Sequence, residues 1–459
     1  HQARIGGAMG AFDPEWSVRA VAEDRERAQN IREIAATNGI TIFEQDNVLF
    51  QSGLSGRIPF GTRYELMMNS DRLKNTLNED PNYRFRPEYD SDMTLTLTQP
   101  LFRDAGRYIN KIQLYLTRSE RRVAEYDLKV KVLEIANEIV QAYADLIYAQ
   151  GNVQVRRDAI DVAQSLKEGN VESVELGVMK PLDVLQAEAA ISDAEDELIR
   201  AELFLTQRQN ALKALVFENY EDVVRLVPFA ADPLNVHIPN LDDLGYWIGT
   251  ALKHNPDYRK EFERLEQEEM RIDYAENQRR PRVDLQGSLG YNGLSDSYSN
   301  SFSDFSERKG PEWSAGVIVS IPLGNREAKA RVKEAKLRKN QVENSIKFTR
   351  NSVISNLDSA LDRVTASKKR YVAIGKTVQL ASESLAEEES RLEEGLTTSY
   401  DVLEMQKGLA DARARRLAAR ADIMKAIADV YRVVGRYPEL ENHLQLLYND
   451  GSGSIFKTE

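Results

Sequence analysis

Cysteine is absent from this chain of 459 residues. That excludes disulfides, thiolate metal sites and a cysteine lipid anchor within these residues, and it is compatible with an oxidising compartment. Proline is scarce and unevenly placed. The fourteen prolines leave two long gaps, from Pro100 to Pro181 and from Pro322 to Pro438. Because proline breaks a helix interior, these gaps are where long helices can run. No apolar run approaches the roughly 20 residues of a membrane-spanning helix. Positive charge is in deficit, with a net charge of −12. An acidic chain lacks the basic face that phosphate binding needs, so nucleic acid is excluded as a partner. The four histidines share no motif spacing, and there is no Gly-rich phosphate loop or nucleophile elbow. Neither an enzyme nor a cofactor site is expected.

What is there is an internal duplication. Gly395-Leu-Thr-Thr-Ser-Tyr-Asp-Val-Leu403 closely matches Gly177-Val-Met-Lys-Pro-Leu-Asp-Val-Leu185, 218 residues earlier. In each, a glycine ends one helical pattern, the chain turns, and Asp-Val-Leu opens the next. The match continues at the same offset through Asp193-Ala194 with Asp411-Ala412, and Leu205 with Ile423. Repetition of this kind decides the architecture before any single motif does. A first repeat is expected over residues 1–217, a linker over 218–240, a second repeat over 241–434 and a polar tail over 435–459.

Each repeat reads as helix, strands, long helix, turn, return helix. The long helices are expected over about 103–167 and 327–394, and at 1.5 Å per residue they span about 100 Å. Their apolar positions step by three and four. One seam includes Ile112, Leu133 and Ala144; the other includes Ala335, Val353, Leu357 and Val364. Seams this long must pack on partner helices as coiled coils. Return helices are expected over 182–217 and 399–434, with shorter helices near 241–254 and 256–279. Strand patterns with period two occur at 57–67, 92–99, 283–291 and 313–321. Glu15–Ala22 is ambiguous, and residues 24–45, 69–89 and 292–311 read as polar loops. The strands have the length that crosses a bilayer in a barrel, yet too few are present for one chain to close one. Closure needs several copies related by rotation. Arg4-Ile5…Ala8…Pro14 matches Arg271-Ile272…Ala275…Pro281, and the second copy is preceded by helices that the first lacks. Some tens of further residues are therefore expected upstream of His1.

The two Gly-to-Asp-Val-Leu turns, the strand exits Thr98-Gln-Pro-Leu-Phe102 and Ser320-Ile-Pro-Leu323, and Asn255-Pro256-Asp257 before a strand pair together resemble the TolC family of outer-membrane channel-tunnels. The resemblance runs from about Arg4 to Gly435. It implies an α+β membrane protein: a homotrimer whose chains each give four strands to one β-barrel in the outer membrane, continued by a helical tunnel across the periplasm. It implies an exit duct for efflux or type I secretion, docking a periplasmic adaptor (membrane fusion) protein and an inner-membrane RND or ABC pump, with outer-membrane lipid around the barrel. Residues 48–68 depart from the pattern as a possible extra strand pair in the first repeat. A non-channel coiled-coil spacer is the competing class, and it leaves the alternating strands unexplained.

The resemblance assigns Asp401 and Glu404, with Asp183 as the first-repeat counterpart, to the periplasmic entrance. In a trimer they would form carboxylate rings. The plainer reading is that acids in a first helical turn complement the helix dipole. Gly177, Val178, Gly395 and Leu396 lie at the helix tips. The glycines are expected as C-caps, and Val178 and Leu396 as an adaptor-docking surface. Arg279, Arg280 and Arg282 would cap a strand at the periplasmic rim, and Tyr291, Phe305 and Trp313 would suit interfacial girdles.

Overall fold

The computed structural model describes residues 2–37, 39–77, 84–230, 243–307 and 310–437. The tail beyond 437, residues 231–240 of the expected linker, and His1, His237 and His443 lie outside them. Contacts divide the chain into two compact units, residues 1–124 with 262–344 and residues 125–261 with 345–459. This division cuts across both sequence repeats, because each long helix passes from one unit into the other.

The first unit is built on one antiparallel sheet. Its strands are β1 (Glu15–Ala28), β2 (Ile42–Arg57), β3 (Arg63–Asn75), β4 (Glu88–Pro100), β5 (Arg282–Ser295) and β6 (Pro311–Ser320), hydrogen-bonded in chain order. The expectation of four strands per chain is corrected to six, four of them from the first repeat. The segments expected as polar loops are in part ladder: Asp24 pairs with Asp46, and Asn69 with Asp92, where the Asn69 amide donates to the carboxylate at 3.0 Å. Polar side chains there signal loop by propensity, but continuous pairing overrides it. The stretch 292–311 likewise contains the end of β5 and a short helix, α7 (Tyr298–Ser306).

Register assigns each strand residue to a face. One face carries Trp16, Val18, Phe50, Leu54, Leu66, Met68, Met93, Leu95, Leu97, Leu285, Leu289, Trp313, Val317 and Val319. The other carries Arg19, Gln51, Glu65, Thr94, Thr96, Thr98, Gln286, Ser288, Glu312 and Ser314 in the same registers. The apolar face is uncovered across most of its width, with Trp16 72% and Trp313 75% exposed. A sheet with its greasy face bare is suited to a lipid surround. Among the described residues no helix is long and apolar enough to cross a membrane.

Helix α1 (Gln2–Met9) ends in a single tight turn at Gly10–Phe12, and α2 (Ile31–Ala36) sits between β1 and β2. Helices α3 (Arg107–Glu175) and α6 (Pro256–Gln278) begin and end beside the sheet, as does the start of α8 (Arg326–Glu393). Charged bonds join them there: Arg122 to Glu263 at 2.6 Å and Glu266 at 2.8 Å, and Lys339 to Glu269 at 2.9 Å. At the strand-to-helix exit, the Asp104 N–H donates to Asn277 at 2.9 Å, and Leu101 N–H to the Val283 carbonyl at 2.8 Å. Arg282, one of the expected rim cations, pairs at 2.7 Å with the buried carboxylate of Asp284, which Arg63 also reaches at 3.3 Å.

The second unit is helical. It holds the rest of α3 and α8, with α4 (Pro181–Val216), α5 (Leu244–His254) and α9 (Ser399–Val434). Helix α9 is its axis, with sixteen buried residues against three on α4. Trp247 and Ala251 of α5, Val353, Leu357 and Val364 of α8, and Ile423, Val430 and Val434 of α9 form one core. The expected α8 seam therefore faces inward, while Phe348, Val372 and Leu380 on its other face stay exposed. Acids along α9 are paired: Asp411 to Arg156 at 2.9 Å, Asp422 to Arg370 and Asp429 to Arg363, both at 2.7 Å. The Asn255-Pro256-Asp257 motif has a plain physical role. Buried Asn255 accepts from the Tyr258 N–H at 3.0 Å, capping α6, and donates at 2.8 Å to the Val433 carbonyl near the end of α9.

Candidate functional site at the helix tips

Both expected turns form, and both end a helix in the left-handed conformation that favours glycine. Gly177 has φ of 75° and Gly395 φ of 74°. After the first, the Val178 N–H donates to the Ser173 carbonyl at 2.9 Å; after the second, Leu396 N–H donates to Arg391 at 2.8 Å. These bonds satisfy carbonyls that the helix end leaves open. The residue that follows each glycine is pushed into solvent: Val178 is 79% and Leu396 64% exposed. Leu176, Leu182 and Leu185 are exposed beside them and extend the apolar surface on the first-repeat side. Their place was hidden in the sequence, because they fall at spacings that also fit an ordinary helix core.

The return helices start in matching ways. The Asp183 carboxylate accepts from the Lys180 N–H at 3.0 Å, and Pro181 occupies a first-turn position where a missing N–H costs little. On α9, Thr398 and Asp401 form a reciprocal cap: the Asp401 N–H donates to the Thr398 hydroxyl at 3.4 Å, and the Thr398 N–H to the Asp401 carboxylate at 3.2 Å. The Thr398 hydroxyl donates to the same carboxylate at 2.6 Å and that of Thr397 at 3.1 Å. The Thr398 hydroxyl bond, then its backbone bond, then Thr397 hold the Asp401 carboxyl below its ordinary value of 3.8. Asp401 thus serves as a helix cap, and it is exposed and anionic as well.

Glu404 is exposed one turn further along α9. With its sequence counterpart Gln186 it lines a cleft of about 450 Å³, together with Arg156, Glu197, Tyr400 and Lys407. The two repeats therefore present equivalent positions to one space, one as an acid and one as an amide. The tips are also tied to each other. Buried Ser399 donates at 3.0 Å to buried Asn170 of α3, whose amide donates at 3.3 Å to the Asp183 carbonyl. Neither residue stood out in the sequence; an Asn within a helical pattern is the sole hint.

Comparison with known proteins is decisive. The Outer membrane efflux protein family matches residues 64–216 and 247–436, one segment per repeat. The chain belongs to this family. Its members are non-enzymatic bacterial outer-membrane channels with a helical extension into the periplasm; they act as trimers, and the barrel forms in the trimer. Nodulation protein T of Rhizobium leguminosarum bv. viciae is 24% identical over 303 residues, which are 64% of this chain and 59% of that protein. The chain thus matches under two thirds of that relative's length. Among solved structures, the outer-membrane channel OprN superposes with a TM-score of 0.65 at 18% identity, covering 95% of this chain and 84% of that one. The Campylobacter jejuni channel CmeC gives 0.62 at 17% identity over 97% and 83%. The Vibrio cholerae protein VceC gives 0.62 at 17% over 95% and 90%. These likenesses carry the fold.

Proposed function

We propose that this efflux-family protein is the exit duct of a tripartite efflux or type I secretion system. Cargo would pass from an inner-membrane pump, of the RND or ABC kind, through the periplasm and outer membrane. The observation that carries the reading is the six-stranded sheet with one apolar and one polar face, joined in the same chain to two helices of 69 and 68 residues. The apolar face suits outer-membrane lipid, and the polar face suits a water-filled lumen. A coiled-coil spacer would need only the helices.

In this reading the helix tips are both gate and dock. Val178 and Leu396, flanked by Leu176, supply an apolar contact surface for helical hairpins of a periplasmic adaptor. Asp401 and Glu404 face the entrance, with Asp183 supporting the first-repeat turn. Three copies would gather six carboxylates at one constriction, where like charges repel and weak screening strengthens attraction for cations. The test is single-channel conductance in a planar bilayer, with a trivalent cation added on the helix-tip side. Wild type is expected to block. The Asp401→Ala/Glu404→Ala variant is expected to conduct without block. Equal block in both would reduce these acids to helix caps, and absence of any conductance in either would remove the channel reading.

A further inference from the structure

We propose that three copies close a barrel of eighteen strands, six from each chain, with β6 of one copy paired to β1 of the next. This rests on the trimeric channel reading and sets the width of its lumen.

Four observations lead there. The ladder is unbroken from β1 to β6, so β1 and β2 belong to the same wall as the other strands. The apolar face also continues onto both outer strands, through Trp16 and Val18 on β1 and Trp313, Val317 and Val319 on β6. A hairpin folded into the lumen as a plug would have no reason to share that face. Third, the Arg4…Pro14 and Arg271…Pro281 alignment matches β1 with β5, and the Pro100 and Pro322 exits match β4 with β6. The added pair is therefore β2–β3, and it lies between β1 and β4 in the ladder. Fourth, the turn joining β2 to β3 is built into the strand-to-helix exit. Gly61 has φ of 96°, and a Cβ there would stand 2.5 Å from the Asp104 carbonyl oxygen. The Gly106 N–H donates to the Phe60 carbonyl at 3.3 Å.

The remaining question is what covers the two free edges. Edge strand β6 is exposed over all ten residues, and β1 over nearly all of its length. In hydrocarbon each unpaired backbone N–H or C=O costs several kcal/mol, so an open edge cannot persist there. A further copy satisfies the edges without changing the pattern. Antiparallel order alternates along the six strands, so β6 and the next β1 run in opposite directions, and an even number per copy lets the ring close. With strands about 4.8 Å apart and tilted by about 40°, eighteen strands give a backbone diameter of about 36 Å, against about 24 Å for twelve. The cross-section rises about 2.3-fold. Its lining, with Glu65, Asp92, Thr94, Thr96, Thr98 and Gln286, is polar.

The lack of cysteine makes the seam directly testable. Ala315→Cys on β6 is combined with one cysteine at a time at Val18, Ala20 or Ala22 on β1, all on the same face as residue 315. A second series pairs one cysteine at Val18, Ala20 or Ala22 with one at Met93, Leu95 or Leu97 on β4, the strand that β1 would meet within a chain if β2–β3 left the wall and only four strands per chain closed the ring. Mild oxidation of the detergent-purified full chain is followed on a denaturing gel and by free-thiol content. Eighteen strands predict dimer and trimer bands for at least one β1 position with residue 315, and retained thiols throughout the β1–β4 series. Thiol loss within a chain in the β1–β4 series, or a trimer by light scattering that cross-links at no β1 position, would overturn the proposal while leaving the channel reading intact. A monomer by light scattering would overturn both.

Discussion

At the scale of residues, the helix tips show one side chain doing two things. Asp401 closes the first turn of α9 through Thr398, and its charge is held in place by the same bonds. The hydroxyl and backbone donors of Thr398, with Thr397, lower its pKa from 3.8. A lowered value means that the cap contributes stability above the unfolded pKa, and loses it as pH falls through the folded one. The same shift keeps the anion available to a cation at mildly acid pH. In a Glu404→Gln background, where Asp401 alone would carry the proposed entrance charge on α9, the midpoint at which trivalent-cation block is lost on acidification should lie below the ordinary aspartate value of 3.8. Loss of block at a higher pH would show that the Thr398 bonds open in the conducting state. The Ser399–Asn170 bond belongs to this scale also. It was illegible in the sequence because its partners lie 229 residues apart and neither breaks a helical pattern.

Among the elements, glycines that look alike in sequence differ in what surrounds them. Gly395 and Gly435 both end helices, at φ of 74° and 80°. Nothing lies within 4 Å of a Cβ at Gly395, whereas one at Gly435 would stand 2.7 Å from the His254 carbonyl and 2.8 Å from the Asn255 Cα. Gly395→Ala should therefore cost only the left-handed backbone penalty of about 1–2 kcal/mol. Gly435→Ala must also displace backbone, and should lower the thermal midpoint distinctly further; equal midpoints would contradict the close packing of α9 on the α5–α6 junction. At the other end of α9, the exposed Val178 and Leu396 make a surface that helps no fold. Val178→Asp with Leu396→Asp should abolish retention of the periplasmic adaptor in a pull-down, while trimer and conductance remain. Undiminished retention would put the dock elsewhere.

The legibility of elements followed the same physics. Long helices were readable because proline gaps and three-and-four stepping act over many turns, and α9 begins and ends as expected. The extra strands were readable in part: residues 48–68 stand out as an extra strand pair and form the β2–β3 hairpin, but the full lengths of these strands and β1 did not show. Their polar ends mimic loops, and β1 alternates apolar residues with arginine and glutamate over only part of its length. Pairing along a whole register, which no single strand encodes, is what holds them.

For the whole molecule, surfaces left bare by one chain set the account. Helix α8 exposes Phe348, Val372 and Leu380 opposite its buried seam, α4 buries few residues, and the sheet has two open edges and an uncovered apolar face. Each is costly alone, and in the proposed trimer each would be covered by copies of the same chain or by lipid. The duplication, not any catalytic motif, made this readable, since two repeats with too few strands already demanded further copies. The most direct test of the trimeric duct is single-particle imaging of the detergent-extracted protein. A trimeric duct predicts a threefold particle with a bore through its barrel and its helical part, narrowed at the helix tips. A monomer, or a threefold particle whose barrel is solid, would contradict it.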